Sequence, residues 1–158
     1  MFTIRHATRP DAQAAFDIRR LAIRRQCIGA YTEEQIQAWT EGTLSPWFTD
    51  LVERHFHLAC VGGHPVATAM LGPEREELGA VFVHPDHMGQ GIGLGLVRYL
   101  EDQARKSGWR KLKLEATLNA APFYRRCGFV GDAIGCYHSP SGLRLACVPM
   151  SKPLLDEG

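Results

Sequence analysis

Apolar residues recur along this chain with two spacings, near 2 and near 3.6, and the switches between them predict its elements. Residues 2–7 read as a first strand. Thr8-x-x-Asp11, with Pro10 in the first turn, opens a helix that carries Phe16, Ile18, Leu21 and Ile23 and continues toward Cys27. Thr32-x-x-Gln35 forms a capping box with Tyr31 and Ile36 at the staple positions, so a second short helix runs toward Trp39, and Ser45-Pro46 caps a third. Residues 56–61 and 66–71, joined by Gly62-Gly63-His64-Pro65, predict an antiparallel hairpin, and residues 78–83 a further strand. Ile92, Leu96, Leu100 and Ala104 recur every fourth residue in a helix over 91–106, which ends on Arg105-Lys106-Ser107-Gly108. Residues 111–116 alternate as a strand. Asn119 is expected to cap a short helix through Cys127, and residues 129–137 and 143–150 to form a closing hairpin.

Between the strand at 78–83 and its helix lies His84-Pro85-Asp86-His87-Met88-Gly89-Gln90-Gly91-Ile92-Gly93-Leu94-Gly95. A strand that enters a glycine-dense stretch opening a helix gathers free backbone N–H groups at a helix N-terminus, where phosphate oxygens bind. Glycine leaves those amides uncovered and accepts positive φ, so a pyrophosphate can approach closely. The P-loop's Lys-Ser/Thr is missing from Leu94-Gly95-Leu96, which argues against ATP and GTP chemistry. G-x-G-x-x-G fails in both registers, ending on Leu94 or Leu96, which argues against a nicotinamide cofactor.

With Asn119-Ala120-Ala121-Pro122-Phe123-Tyr124 and Gly128-Phe129 downstream, this stretch resembles the GCN5-related N-acetyltransferase (GNAT) superfamily. The resemblance runs from about Ile4 to Leu154 and is strongest from Leu78 to Phe129. The family's signature is Gln/Arg-x-x-Gly-x-Gly/Ala; anchored on the strand, its lead position falls on Met88, whereas a literal match starts at Gln90 and ends on Gly93-x-Gly95. The strand-anchored register is preferred here. The resemblance implies a mixed α/β fold whose mostly antiparallel central sheet of about seven strands is flanked by helices. It implies acetyl-CoA as cosubstrate, held by Met88, Gly89, Gln90, Gly91, Ile92 and Gly93, by the backbone of Phe82 and Val83 acting as an added strand, and by Asn119 on the pantetheine arm.

Composition agrees with one domain over residues 1–158: at 45% hydrophobic content the chain can bury a sizeable core, with no internal repeat or low-complexity linker. A formal net charge of +1 gives no general attraction to nucleic acid or membrane, so neither is expected as a partner. With no span-length apolar run and no secretory apolar region after Met1, a cytoplasmic location is expected. A monomer or a homodimer is compatible with the resemblance. The five cysteines are scattered without C-x-x-C spacing, so neither a disulfide framework nor zinc is indicated, and His84 and His87 lack a third metal ligand at suitable spacing.

Acetyl transfer to an amine sets two requirements. A lysine-like amine, with a pKa of about 10.4, must lose a proton before attack, and the departing thiolate leaves more readily beside an acid. Tyr124 is the candidate acid, because the resemblance carries the family's tyrosine onto it. Glu77 is the candidate base: by a period of two it shares a strand face with Val83, while Glu76, Glu115 and water remain open. Arg19, Arg20, Arg24 and Arg25 read first as a solvated helix face and alternatively as the border of a site for an acidic acceptor. Tyr31, Trp39 and Trp47 are candidates for the acceptor pocket or for plain core packing. The acceptor amine is expected to be a small molecule. The alternatives are a protein N-terminus or lysine as acceptor, or a non-catalytic acyl-CoA sensor.

Overall fold

The computed structural model of the protein describes residues 1–154. Seven strands, β1 (Thr3–His6), β2 (Phe56–Val61), β3 (His64–Gly72), β4 (Glu77–Val83), β5 (Lys111–Ala116), β6 (Gly135–His138) and β7 (Arg144–Pro153), form one sheet in the order β1-β2-β3-β4-β5-β7-β6. Every neighbouring pair is antiparallel except β4 and β5. That parallel pair requires a long crossover, which α4 (Ile92–Lys106) supplies.

Two of the helix starts are fixed by their caps. In α2 (Glu33–Thr40) the Thr32 hydroxyl accepts from Gln35 N at 3.0 Å while the Gln35 side chain accepts from Thr32 N at 2.9 Å. Ser45 accepts from Phe48 N at 3.2 Å to begin α3 (Pro46–His55). The first long helix begins later than its sequence signal: residues 9–11 make a 3-10 turn, and α1 (Ala12–Gln26) follows. Asp11 instead accepts from Thr8 N and from Arg5, which pins β1 to the helix start. Leu21, expected on the apolar face, is exposed.

Alternation along β2 divides the core. Ala59 packs with Leu78, Leu96, Leu100, Leu112 and Leu114 under α4, whereas its neighbours Leu58 and Cys60 pack with Ala15, Phe16 and Val52 of α1 and α3. The two helical layers therefore cover opposite faces of the sheet. The closing hairpin is shorter on its first side than the sequence predicts. Only Gly135–His138 pairs with β7, and Val130 makes a lone bridge to Ser151. Between them the chain is irregular, and Gly131 lies so close to β7 that a Cβ there would clash with the Pro149 carbonyl oxygen.

Asn119 does not cap the next helix. The N-cap of α5 (Ala121–Arg126) is Ala120, whose φ of −93° and ψ of −14° are already helical, and no side chain caps it. The turn is closed instead by the Thr117 carbonyl, which accepts from Ala120 N and Ala121 N at 3.0 and 3.1 Å. Among the described residues no helix is long and apolar enough to cross a membrane.

Candidate active site

The glycine loop ends at Gly91, the N-cap of α4, with φ +80° and no side-chain cap. The first amides of a fifteen-residue helix are thus left open, as anion binding requires. Gly89 also has positive φ, +77°, and a Cβ at either Gly89 or Gly91 would meet nothing within 4 Å. Gly93 lies in the first turn, where a Cβ would make ordinary contact with Phe123 and Val83 at 3.5 Å. Gly95 is different: a Cβ there would stand 2.6 Å from the Phe2 ring, so this glycine serves packing between α4 and the chain start. Gly91 and Gly93 are thus the glycines at the helix mouth, the pair that the strand-anchored register selects. Gln90 is exposed, and Ile92 is buried in the core below the loop. The Met88 sulfur accepts from the Gln26 side chain at 3.3 Å, which ties the loop to the end of α1. His84 accepts from Asp86 N at 3.1 Å and so shapes the turn before the loop. Among the described residues no group of three His, Cys, Asp or Glu side chains could hold a metal ion.

β4 leads from that loop into the middle of the sheet. It shares a single register pair with β5, Glu77 with Lys113, reinforced by Lys113 N donating to Glu76 O at 3.0 Å. Among the described residues Leu78 to Val83 have no ladder partner on that side, so the two strands diverge toward the loop and the backbone of Phe82 and Val83 borders the gap. An extended ligand can hydrogen-bond along such an edge.

The cause of the divergence lies within β4. Thr68 pairs with Phe82 and Met70 with Gly79, so one residue of β3, Ala69, opposes two of β4, Ala80 and Val81. The extra residue is a bulge at Ala80, whose φ is +50°, and a bulge bends and twists its strand. Buried Thr68 donates its hydroxyl to the Ala80 carbonyl at 2.6 Å. The bulge also inverts parity. Glu77 shares the face of Phe82 and Met70, not that of Val83 as the regular period of two predicted. Glu77 therefore points to the α1 side, away from α4.

On that side lies a cavity of about 750 Å³ whose lining includes Glu77, Glu115, Phe82, Tyr124, Tyr137 and Arg19. The candidate acid and base thus border one space. Tyr124 is buried and packs edge-on against Phe123 and Phe129, with ring centroids 5.1 and 5.9 Å away. Burial pushes its phenol well above the ordinary tyrosine range, which keeps the proton on the oxygen at neutral pH. Glu77 is partly buried; burial, and then the nearby Glu115 carboxylate, raise its pKa, against the opposing pull of Arg75 and Lys113. A raised carboxyl is a stronger base than a solvated one.

The other sequence candidates divide. Asn119 lies in the turn before α5, exposed, with its amide near the Cys27 thiol, which burial pushes up to about 11. Tyr31, Trp39 and Trp47 all line the cavity, Trp47 from an exposed position. Tyr31 also braces it, since its hydroxyl donates to Ala146 O and accepts from Leu118 N at 3.1 Å. Arg24 and Arg25 are exposed, as a solvated face requires, but Arg19 is partly buried and faces the cavity. Tyr137, which no sequence motif marks, joins the lining from the short strand β6.

An uncapped helix N-terminus, a split at the centre of the sheet and a cavity behind it together suit an acyl donor with a pyrophosphate and a long arm. The profile of the acetyltransferase (GNAT) family matches residues 21–129. The chain belongs to that family. Its residues are 25% identical over 99 positions to the uncharacterized N-acetyltransferase YafP of Escherichia coli, a match covering 63% of this chain and 61% of that protein's length. The fold is similar to that of a GCN5-related N-acetyltransferase from Rhodopseudomonas palustris, with a TM-score of 0.87 and 28% identity over 96% of this chain and 94% of that one. It is also similar to the PaiA N-acetyltransferase of Thermoplasma acidophilum solved in complex with coenzyme A, with a TM-score of 0.72 and 17% identity over 97% and 99% of the two chains.

Proposed function

We propose that this GNAT-family protein transfers the acetyl group of acetyl-CoA to the primary amine of a small molecule, by direct attack in a ternary complex. One observation carries the reading: β4, paired to β5 only at Glu77, joins the loop with the open α4 amides to the wall of a cavity bordered by both Glu77 and Tyr124. The amides at Gly91 to Gly93 would take the pyrophosphate, with Met88, Gly89, Gln90 and Ile92 forming the loop around it. The backbone of Phe82 and Val83 would hold the pantetheine arm as an added strand, with Asn119 at its far side. Coenzyme A in the PaiA complex is consistent with such a guest.

The chemistry assigned to the chain's own groups is balanced. Glu77, directly or through a water, takes the first proton of the acceptor ammonium; the freed nitrogen forms its bond to the thioester carbon; the carbon–sulfur bond breaks as Tyr124 gives its proton to the departing sulfur; and the nitrogen sheds its second proton, which through water restores the Tyr124 hydroxyl, leaving the neutral amide and CoA thiol. A β4 amide facing the carbonyl would stabilise the negative charge that develops on its oxygen. The cavity is walled by α1, α2 and the turn at 139–143, which favours a compact acceptor over a polypeptide segment. The deciding assay is thiol release from acetyl-CoA across a panel of amines. Acetyl transfer to at least one small amine is expected; a thermal shift with CoA but no transfer to any amine would leave an acyl-CoA sensor.

A further inference from the structure

Phe16, Arg19, Ile23 and Gln26 of α1 line the cavity with its C-cap Cys27, at the spacing of a single helix stripe. That stripe is apolar except for Gln26 and Arg19. A guanidinium there needs a partner, because desolvating a cation is costly unless it is paired. Arg19 makes one hydrogen bond, from Nη2 to the Trp39 carbonyl at 3.0 Å near the end of α2, and it forms no ion pair with a described residue. The bond uses one of its five N–H donors and fixes the side chain in place. Burial accordingly pulls its pKa down, and the neighbouring Arg20 adds to that.

The same lining also carries the opposite charge. Glu77 and Glu115 lie together there, and Tyr137 stands close enough to feel Arg19 on one side and both carboxylates on the other. Phe16, Trp39, Trp47, Phe48, Leu51 and Met70 make the wall apolar. A cavity whose lining holds a guanidinium, two carboxylates and an apolar wall, with Tyr137 near both kinds of charge, is complementary to a zwitterion with an apolar body.

We propose that Arg19 receives the carboxylate of the acceptor, and that the acceptor is a free amino acid with an apolar or aromatic side chain. The inference rests on the acetyltransferase reading above and names its substrate class. The guanidinium fork takes the carboxylate in a charge-assisted contact, which turns the amine toward Glu77 and the thioester.

The test compares L-phenylalanine, L-tryptophan and L-methionine with phenethylamine, which keeps the aromatic body and amine but lacks the carboxylate. The wild-type protein should favour at least one of the amino acids in kcat/KM by about 10-fold or more, the value of a hydrogen bond to a charged group. Arg19→Gln should raise KM for that amino acid by about 10- to 100-fold and leave phenethylamine little changed, with Arg19→Lys between them. The CoA thermal shift should persist in both variants. Equal or better use of phenethylamine, or an equal loss on both acceptors in Arg19→Gln, overturns the proposal. Transfer only to other amines, such as a polyamine, an aminoglycoside or a peptide, overturns it and leaves the acetyltransferase reading standing. Absence of transfer to any amine overturns both. If Arg19→Gln fails to fold, the wild-type comparison decides alone.

Discussion

The Thr68 hydroxyl donates to the Ala80 carbonyl at 2.6 Å across two strands, and this contact holds the bulge that splits the sheet. Thr68 is fully buried, and Ala80 sits at a φ of +50°, which is unfavourable for a residue with a Cβ. A buried hydrogen bond thus supports a strained residue, and the strain sets the direction of Glu77.

Thr68→Val keeps the shape of the side chain and removes the donor. The stranded carbonyl should cost about 1–3 kcal/mol, read as a lower denaturant midpoint at unchanged m-value. Activity should fall further than stability explains, because a relaxed bulge returns Glu77 to the α4 face. A variant that loses stability but retains full kcat at a temperature where it is folded would separate the bulge from catalysis.

CoA should stabilise the fold through the Gly91 mouth of α4. At about a hundred times its Kd a ligand adds about 2.7 kcal/mol, a clear thermal shift. Asn and Asp both tolerate the left-handed region, and a Cβ at Gly91 meets nothing within 4 Å. Gly91→Asn should therefore keep much of the shift and Gly91→Asp lose it, since only the carboxylate repels the phosphates. Equal shifts in the two variants would move the pyrophosphate site elsewhere.

Local chemistry was legible in the sequence where local chemistry decides. The Thr32 and Ser45 caps, the β2–β3 hairpin, the α4 stripe and the glycine mouth all depend on residues a few positions apart. The parity of Glu77 was not legible, because it depends on a bulge at an alanine held by a threonine twelve residues earlier; the adjacent Gly79 is compatible with a bulge but does not fix that a residue is added there. Asn119 has cap chemistry but lies one residue before the N-cap, in a turn closed by a backbone carbonyl instead. Arg19 belongs to a basic run whose other members are solvent-facing or packed elsewhere; only its place on the Phe16–Ile23 stripe separates it from Arg24 and Arg25.

Tyr124→Phe should lower kcat by about 10²-fold while CoA binding changes little. The ring contacts with Phe123 and Phe129 survive the change, and only the hydroxyl is lost. Because burial holds the phenol protonated far above neutrality, no wild-type activity limb near pH 7 should belong to it. An unchanged kcat would assign the proton on sulfur to a water.

Glu77→Gln separates activity from stability. As the base, Glu77 matters most where the acceptor is protonated, so the variant's deficit should be largest at low pH and shrink as free amine becomes available. Stability should move the other way. The folded state raises the Glu77 pKa above its unfolded value, so it binds the proton more tightly than the unfolded chain and loses stability as pH rises through that window. Glutamine carries no such charge. At neutral pH Glu77→Gln should melt at or above the wild-type temperature, and the advantage should vanish as pH falls below the ordinary glutamate range. An activity profile parallel to wild type would shift the base to Glu76, Glu115 or an ordered water, and a lower melting temperature at neutral pH would mean that the ionised carboxylate has found a partner in the fold.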